Sequence, residues 1–286
     1  MNPTWKTSFL LITEVSKVLL RSILLKNLRD RRMAIFWWSI SFFLLVIMMC
    51  AMFPTIQESA AELEAYMDSY PDSVRAAFGV EEGTSIASPT GFFNIELFSL
   101  MIPIMFLIFA VGFGSNAIAG EEETGTLDLL LANPLPRWRI VLEKFAAMVL
   151  GTGLIAFITW ASFVIGIKAF DIDIGIGSLA AATTSSALLG LTFGVAALAV
   201  GCATGRRGLA LAIAIALTTG SYLLNIVAKI VESVEPYEQL SLFYYQVDAN
   251  PLANGLKLGD AAVFVGVITA LLAIALVSFQ RRDLVG

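Results

Sequence analysis

The stretch AGEEETGTLDLLLANPLPRWRIVLEK, residues 119–144, separates two long apolar runs, 97–120 and 145–167. It opens on three adjacent carboxylates, Glu121, Glu122 and Glu123, and closes on Arg137, Arg139 and Lys144. Between them Leu127, Leu130 and Leu131 recur at i, i+3 and i+4, one face of a helix. Carboxylates at the start of such a helix suit the positive end of its dipole. Pro134 biases Asn133 away from helical geometry and ends the helix. Pro136 suits the first turn of the next one. The segment reads as a short helix over 121–134, a rigid corner, and then a membrane span. From these residues alone two readings stand level. One is a lever that passes on a push from a docked partner; the other is a connecting loop whose charges keep it out of lipid.

The rest of the chain sets the context. Its 286 residues are 58% apolar and only 14% charged, where soluble domains average about 45–50% and about 25%. That departure points to an integral membrane protein. A hydrocarbon core of about 30 Å needs roughly 20 apolar residues in a helix. Six stretches meet the need: 33–53, 97–120, 145–167, 180–203 within the longer run 174–205, 208–228 and 261–280. None contains Asp, Glu, Lys or Arg. All are too long for barrel strands, so the expected class is an all-α membrane protein forming one membrane domain over 1–286. The first run is also too long for the apolar core of a cleavable signal peptide.

Lys and Arg assign the sides. Fourteen of the 18 fall in the N-terminal segment, the 121–144 connection, the turn at Arg206 and Arg207, and the tail. The alternate side has Arg75, Lys168, Lys229 and Lys257. Both termini and the 119–144 segment are expected to be cytoplasmic. Residues 54–96, rich in Glu and Asp, are expected outside as a solvated loop, with two short helices broken at Pro71 in 58–79; a cation-attracting vestibule is the other reading. In this topology Cys50 and Cys202 lie near opposite faces and cannot pair. The N-terminal EVSKVLLRSILLKNLRDRR, residues 14–32, mixes apolar and basic residues at helical spacing and reads as an interfacial helix.

The central segment closely resembles the cytoplasmic segment of type-two ABC transporter permeases. That pattern is an acidic cluster, Gly-Thr-Leu, a leucine pair, a Pro, an Arg and a Lys opening the third span. Here these are Glu121, Glu122 and Glu123, then Gly125, Thr126 and Leu127, then Leu129 and Leu130, Pro134, Arg137 and Lys144. YPDSVRAAFGV (70–80), LSLFYY (240–245) and FQRRDL (279–284) are similar to further family stretches. The resemblance implies six spans with an N-terminal elbow helix, a coupling helix after the second span, and short re-entrant helices between the last two spans. It implies a multi-pass subunit of the cytoplasmic membrane, most often an exporter. Two permease halves, identical or related, would pair with two ATPase subunits that bind ATP and Mg. The coupling residues would be Glu121, Glu122, Glu123, Gly125, Thr126, Leu127, Leu130, Pro134 and Arg137. Leu127 and Leu130 are expected to bury against the ATPase. The glutamates are expected to anchor the helix start and to matter less, as exposed pairs contribute about 0–1 kcal/mol.

What the chain lacks agrees. No Gly-Lys dipeptide occurs, so no phosphate-cradling loop exists and no cofactor is expected on this chain. Zero histidines exclude a Ser–His pair and a Cys/His metal site. No catalytic residue, metal ligand or nucleic-acid partner is expected. Gly190/Gly194 and Gly201/Gly205 are small-xxx-small pairs that permit close helix approach, within one chain or between two. An ion-gradient-driven secondary transporter is a competing reading, but such proteins usually need ionisable groups within the membrane. A scaffold without transport is the other.

Overall fold

The computed structural model describes residues 23–59, 88–127 and 136–282. Residues 60–87 of the acidic loop, residues 14–22 of the N-terminal basic stretch, and Leu129, Leu130, Leu131 and Pro134 lie outside those residues, while 54–58 and 89–96, expected in the loop, are helical. Seven long helices carry the fold: α1 Ile23–Asp30, α2 Arg32–Glu58, α3 Pro89–Glu123, α4 Arg137–Ala169, α5 Ile176–Thr204, α6 Arg207–Ile230 and α7 Leu258–Arg281. The six from α2 onward are each long and apolar enough to cross a membrane. No strand occurs among the described residues.

The helix ends follow local chemistry. Ser88 caps α3 by accepting the Gly91 N–H at 3.0 Å, with Pro89 in the first turn. Pro136, extended at ψ 137°, immediately precedes α4. Gly205 adopts a left-handed φ of 66° that stops α5, its N–H returning to the Gly201 carbonyl at 2.9 Å. α3 is not uniform, because Asn94–Met101 and Asn116–Gly120 are π-helical turns within it.

α5 is the central post. Its most apolar stretch is 78% buried within the chain, against 17% for α6. The reason lies in glycines, which let α3 and α5 approach closely. A Cβ on Gly194 would stand 2.8 Å from the Ala110 carbonyl oxygen, and one on Gly190 2.7 Å from the Phe106 Cβ. This small-xxx-small pair is therefore spent inside the chain rather than presented to a second copy. Around it runs a phenylalanine-rich layer joining α2, α3 and α4, with Phe42 on Phe106 at 4.7 Å and Phe98 stacked on Phe163 at 5.3 Å.

Between α6 and α7 the chain makes three short helical pieces, Glu235–Leu240, Tyr244–Asp248 and Pro251–Asn254. They lie at the end of the bundle opposite Glu121–Glu123. Asp248 there accepts a 2.7 Å hydrogen bond from the Asn225 amide of α6 and forms an ion pair with Lys229.

Candidate functional site

The three carboxylates of the central segment do not start a helix. α3 runs unbroken through its last π-helical turn to Glu123, so they end it. The chain then breaks. Gly125 takes a left-handed φ of 70° and returns its N–H to the Glu122 carbonyl at 3.0 Å. The Thr124 hydroxyl donates to the Gly120 carbonyl at 3.0 Å, and that of Thr126 to the Glu121 carbonyl at 3.2 Å. Helical geometry resumes at Thr126 and Leu127. The expected continuous helix over 121–134 is thus corrected: glycine conformational freedom at 125 divides it, and the next helix starts at Thr126.

Carboxylates at a helix C-terminus face the negative end of its dipole and are disfavoured there. Each of these three has a partner on a different helix. Glu121 Oε1 lies 2.7 Å from Lys144 Nζ of α4, whose side chain is fully buried. Glu122 pairs with Arg282, just beyond α7. Glu123 accepts the backbone N–H of Arg207 at 2.8 Å, a donor left free by the start of α6. Successive residues on a helix point about 100° apart, so three neighbours reach three directions.

Other cations complete the arrangement. Arg282 also donates to the Cys202 carbonyl of α5 at 3.2 Å. Arg137, in the first turn of α4, donates to the Arg282 carbonyl at 2.8 Å and the Phe279 carbonyl at 3.4 Å. The Arg31 guanidinium sits 4.0 Å over the Phe113 ring and donates to the Phe113 carbonyl at 3.3 Å. Burial pushes Arg31 down to about 10 while Glu121 opposes the shift, so Arg31 stays charged at neutral pH. Glu143 of α4 accepts the Leu24 N–H of α1 at 3.0 Å and pairs with Arg139 at 2.7 Å. The basic end of the bundle is therefore a clasp in which the end of α3 is tied to α4, α6 and α7.

Two expectations change here. Leu127 is only 1% exposed and belongs to the protein's own apolar core, so its side chain does not form an external docking face. Glu121 is not the minor, solvent-exposed contributor that the sequence suggested, because Lys144 is buried and a buried partner raises the cost of losing a charge, whereas Glu123 is exposed as expected. Of the nominated residues, the structure joins Glu121, Glu122, Glu123 and Arg137 in the clasp, and uses Gly125 and Thr126 for the break. Leu130 and Pro134 lie outside the described residues. Sequence reasoning counted Arg31, Arg207 and Arg282 only as markers of side; their regular placement at helix ends was the available signal for more.

The model of the family described as ABC-2 family transporter protein matches residues 21–284. The chain belongs to the ABC-2 transporter family. No match was found among curated proteins. As an ABC-2 permease it is a multi-pass membrane subunit of an ABC transporter. Membership implies ABC ATPase subunits as partners and a bilayer as surroundings. The clasp can then be read as the part of an ABC-2 permease nearest the basic 136–144 segment, where charge rather than apolar packing joins the helix ends.

Proposed function

We propose that this ABC-2 permease is an exporter subunit of the cytoplasmic membrane, with its basic end and both termini in the cytosol. Two ATPase chains binding ATP and Mg drive it, and it works with a second permease, identical or related. The ATPase docks on the segment that begins after Gly125, with Leu130 in its groove. The observation that supports this is the clasp: Glu121, Glu122 and Glu123, directly before the segment, reach Lys144, Arg282 and Arg207 on three different helices. A displacement of the docked segment passes to α4, α6 and α7 together.

The test is Leu130→Asp in the intact complex. Burying one leucine is worth roughly 1.5–3 kcal/mol, and 1.4 kcal/mol is a factor of ten. The variant should insert normally, hold its ATPase at least about tenfold more weakly, and lose ATP-driven transport. Single cysteines replacing Arg206 and Glu232, in a background without Cys50 and Cys202, should label from opposite sides of the membrane. Full ATPase retention by Leu130→Asp would defeat the docking site, and labelling of both cysteines from one side would defeat the orientation.

A further inference from the structure

Within α3 one buried carbonyl has no donor from its own helix. Over Asn94–Met101 the helix is π-helical, and the Ile102 N–H closes this wide turn on the Leu97 carbonyl, five residues back. The next carbonyl, that of Phe98, would take the N–H of residue 103 in the same pattern, and residue 103 is proline. Its ordinary α-helical donor would be the Ile102 N–H, which is already given to Leu97. Phe98 is 1% exposed, and a buried carbonyl left unpaired is costly.

The donor comes from elsewhere in the chain. Gln246, 2% exposed, lies in the short piece Tyr244–Asp248 between the last two spans. Its side-chain amide nitrogen donates to the Phe98 carbonyl at 2.8 Å, across 148 residues of chain, and lies 3.3 Å from the Ser186 hydroxyl of α5. A carbonyl only accepts, so the nitrogen end of the amide must face Phe98. The amide oxygen is buried and has no partner among the described residues. The placement of Gln246 thus serves the Phe98 carbonyl better than it serves its own pairing.

We propose that Gln246 is a positioning residue that holds the first part of α3 in its π-helical register, and that this register changes when Tyr244–Asp248 moves away. On release the Ile102 N–H passes from the Leu97 carbonyl to that of Phe98, an ordinary α-helical bond, and the wide turn retreats toward Ser88. Residues 94–98 then turn by about 100°. The change stops before Phe106, because from there α3 lies against Gly190 and Gly194 with no room even for a Cβ between them. The end of the bundle that bears the short pieces has a moving part of its own, and the clasp keeps its phase.

The test uses the purified permease in lipid nanodiscs and no ATPase, so it stands apart from the exporter reading. Gln246→Leu removes the donor at similar size. Pro103→Ala gives residue 103 an N–H, so that Phe98 no longer depends on Gln246 in either register. Gln246→Leu should be less unfavourable by about 3 °C or more in melting temperature in the Pro103→Ala background than in the native one. Lost packing, or loss of the Ser186 contact, would cost the same in both. If Gln246→Leu alone fails to fold, folding regained with Pro103→Ala is the same result, and failure of both overturns the proposal. Register is read by pulsed electron paramagnetic resonance in a background without Cys50 and Cys202. Nitroxides sit at Glu96→Cys or Ile108→Cys, each paired with Phe157→Cys on α4 or Leu223→Cys on α6, all exposed positions. Gln246→Leu should shift at least one distance from position 96 by about 5 Å, as a rotated side chain on a helix requires, and leave those from position 108 unchanged. An equal change in melting temperature in both backgrounds, unchanged distances from position 96, or an equal shift at position 108 would overturn the proposal.

Discussion

The two ends of the bundle are fastened differently. At the basic end three consecutive carboxylates at the end of α3 engage three helices, and the pair of Glu122 with Arg282 spans 160 residues of chain. At the opposite end Asn225, Lys229 and Asp248 lie within one helix and the short turns that follow it, with 23 residues separating Asn225 from Asp248. One end is held by a charged cluster that joins α3 to three other helices, the other by the Asn225–Lys229–Asp248 latch and by Gln246, whose neutral amide donates to the Phe98 carbonyl of α3 at 2.8 Å. A perturbation of the charged cluster therefore bears on four helices at once, whereas one at Asp248 bears first on α6 and the turns that follow it.

The comparison breaks most visibly at Lys144. Replacing it by Met keeps apolar volume but strands the Glu121 carboxylate at a helix C-terminus. The cost should be about 3–5 kcal/mol, read as a drop in thermal stability of the purified permease. Adding Glu121→Gln should return much of it. A loss below about 1 kcal/mol, the range of a surface pair, would mean that the basic end is no more tightly tied than the other.

A smaller effect is expected at the latch. Asp248→Ala removes the acceptor of the buried Asn225 amide and should cost about 1–3 kcal/mol. Hydrogen exchange should quicken across 235–254 and stay unchanged across 116–127. Faster exchange in both regions would erase the contrast between a local and a bundle-wide fastening.

The smallest effect is one of pH. Desolvation first, then the charges of Asp248 and Glu235, hold the Glu238 carboxyl above its ordinary 4.5. A carboxyl raised on folding contributes stability that is fully present below its unfolded value and is lost as pH rises through the folded one. The latch segment should thus exchange more slowly, after correction for intrinsic rates, near pH 4.5 than near pH 7. Glu238→Gln should flatten that difference, while exchange over 116–127 should not respond to the substitution. A response at 116–127 would couple the two ends.

Much of the architecture was legible because a membrane is a severe filter on sequence. A span needs length and apolarity, and both are read directly from runs such as 33–53 and 208–228. Gly190 and Gly194 were legible as a close approach, since only small residues permit one. The clasp was not. Nothing local in Glu-Glu-Glu tells that its partners are Lys144, Arg207 and Arg282, and side-counting treated those cations as interchangeable. Leu127 misled for a related reason: i, i+3, i+4 spacing marks an apolar face and is silent on whether that face meets a partner or the chain's own core. The helix boundary failed at Gly125, whose left-handed turn separates the glutamates from the leucine stripe that follows.

The π-helical turn at Asn116–Gly120 gives the clasp an unusual kind of fragility. Such a turn is in effect one residue absorbed into an α-helix. Without it, everything downstream would rotate by about 100°. Loss of a single codon there would leave hydropathy, net charge and the run of three glutamates untouched. It would nevertheless swing each carboxylate toward its neighbour's partner. In this stretch residue count acts as a reading frame: the spelling of the acidic cluster carries its meaning only at the correct phase.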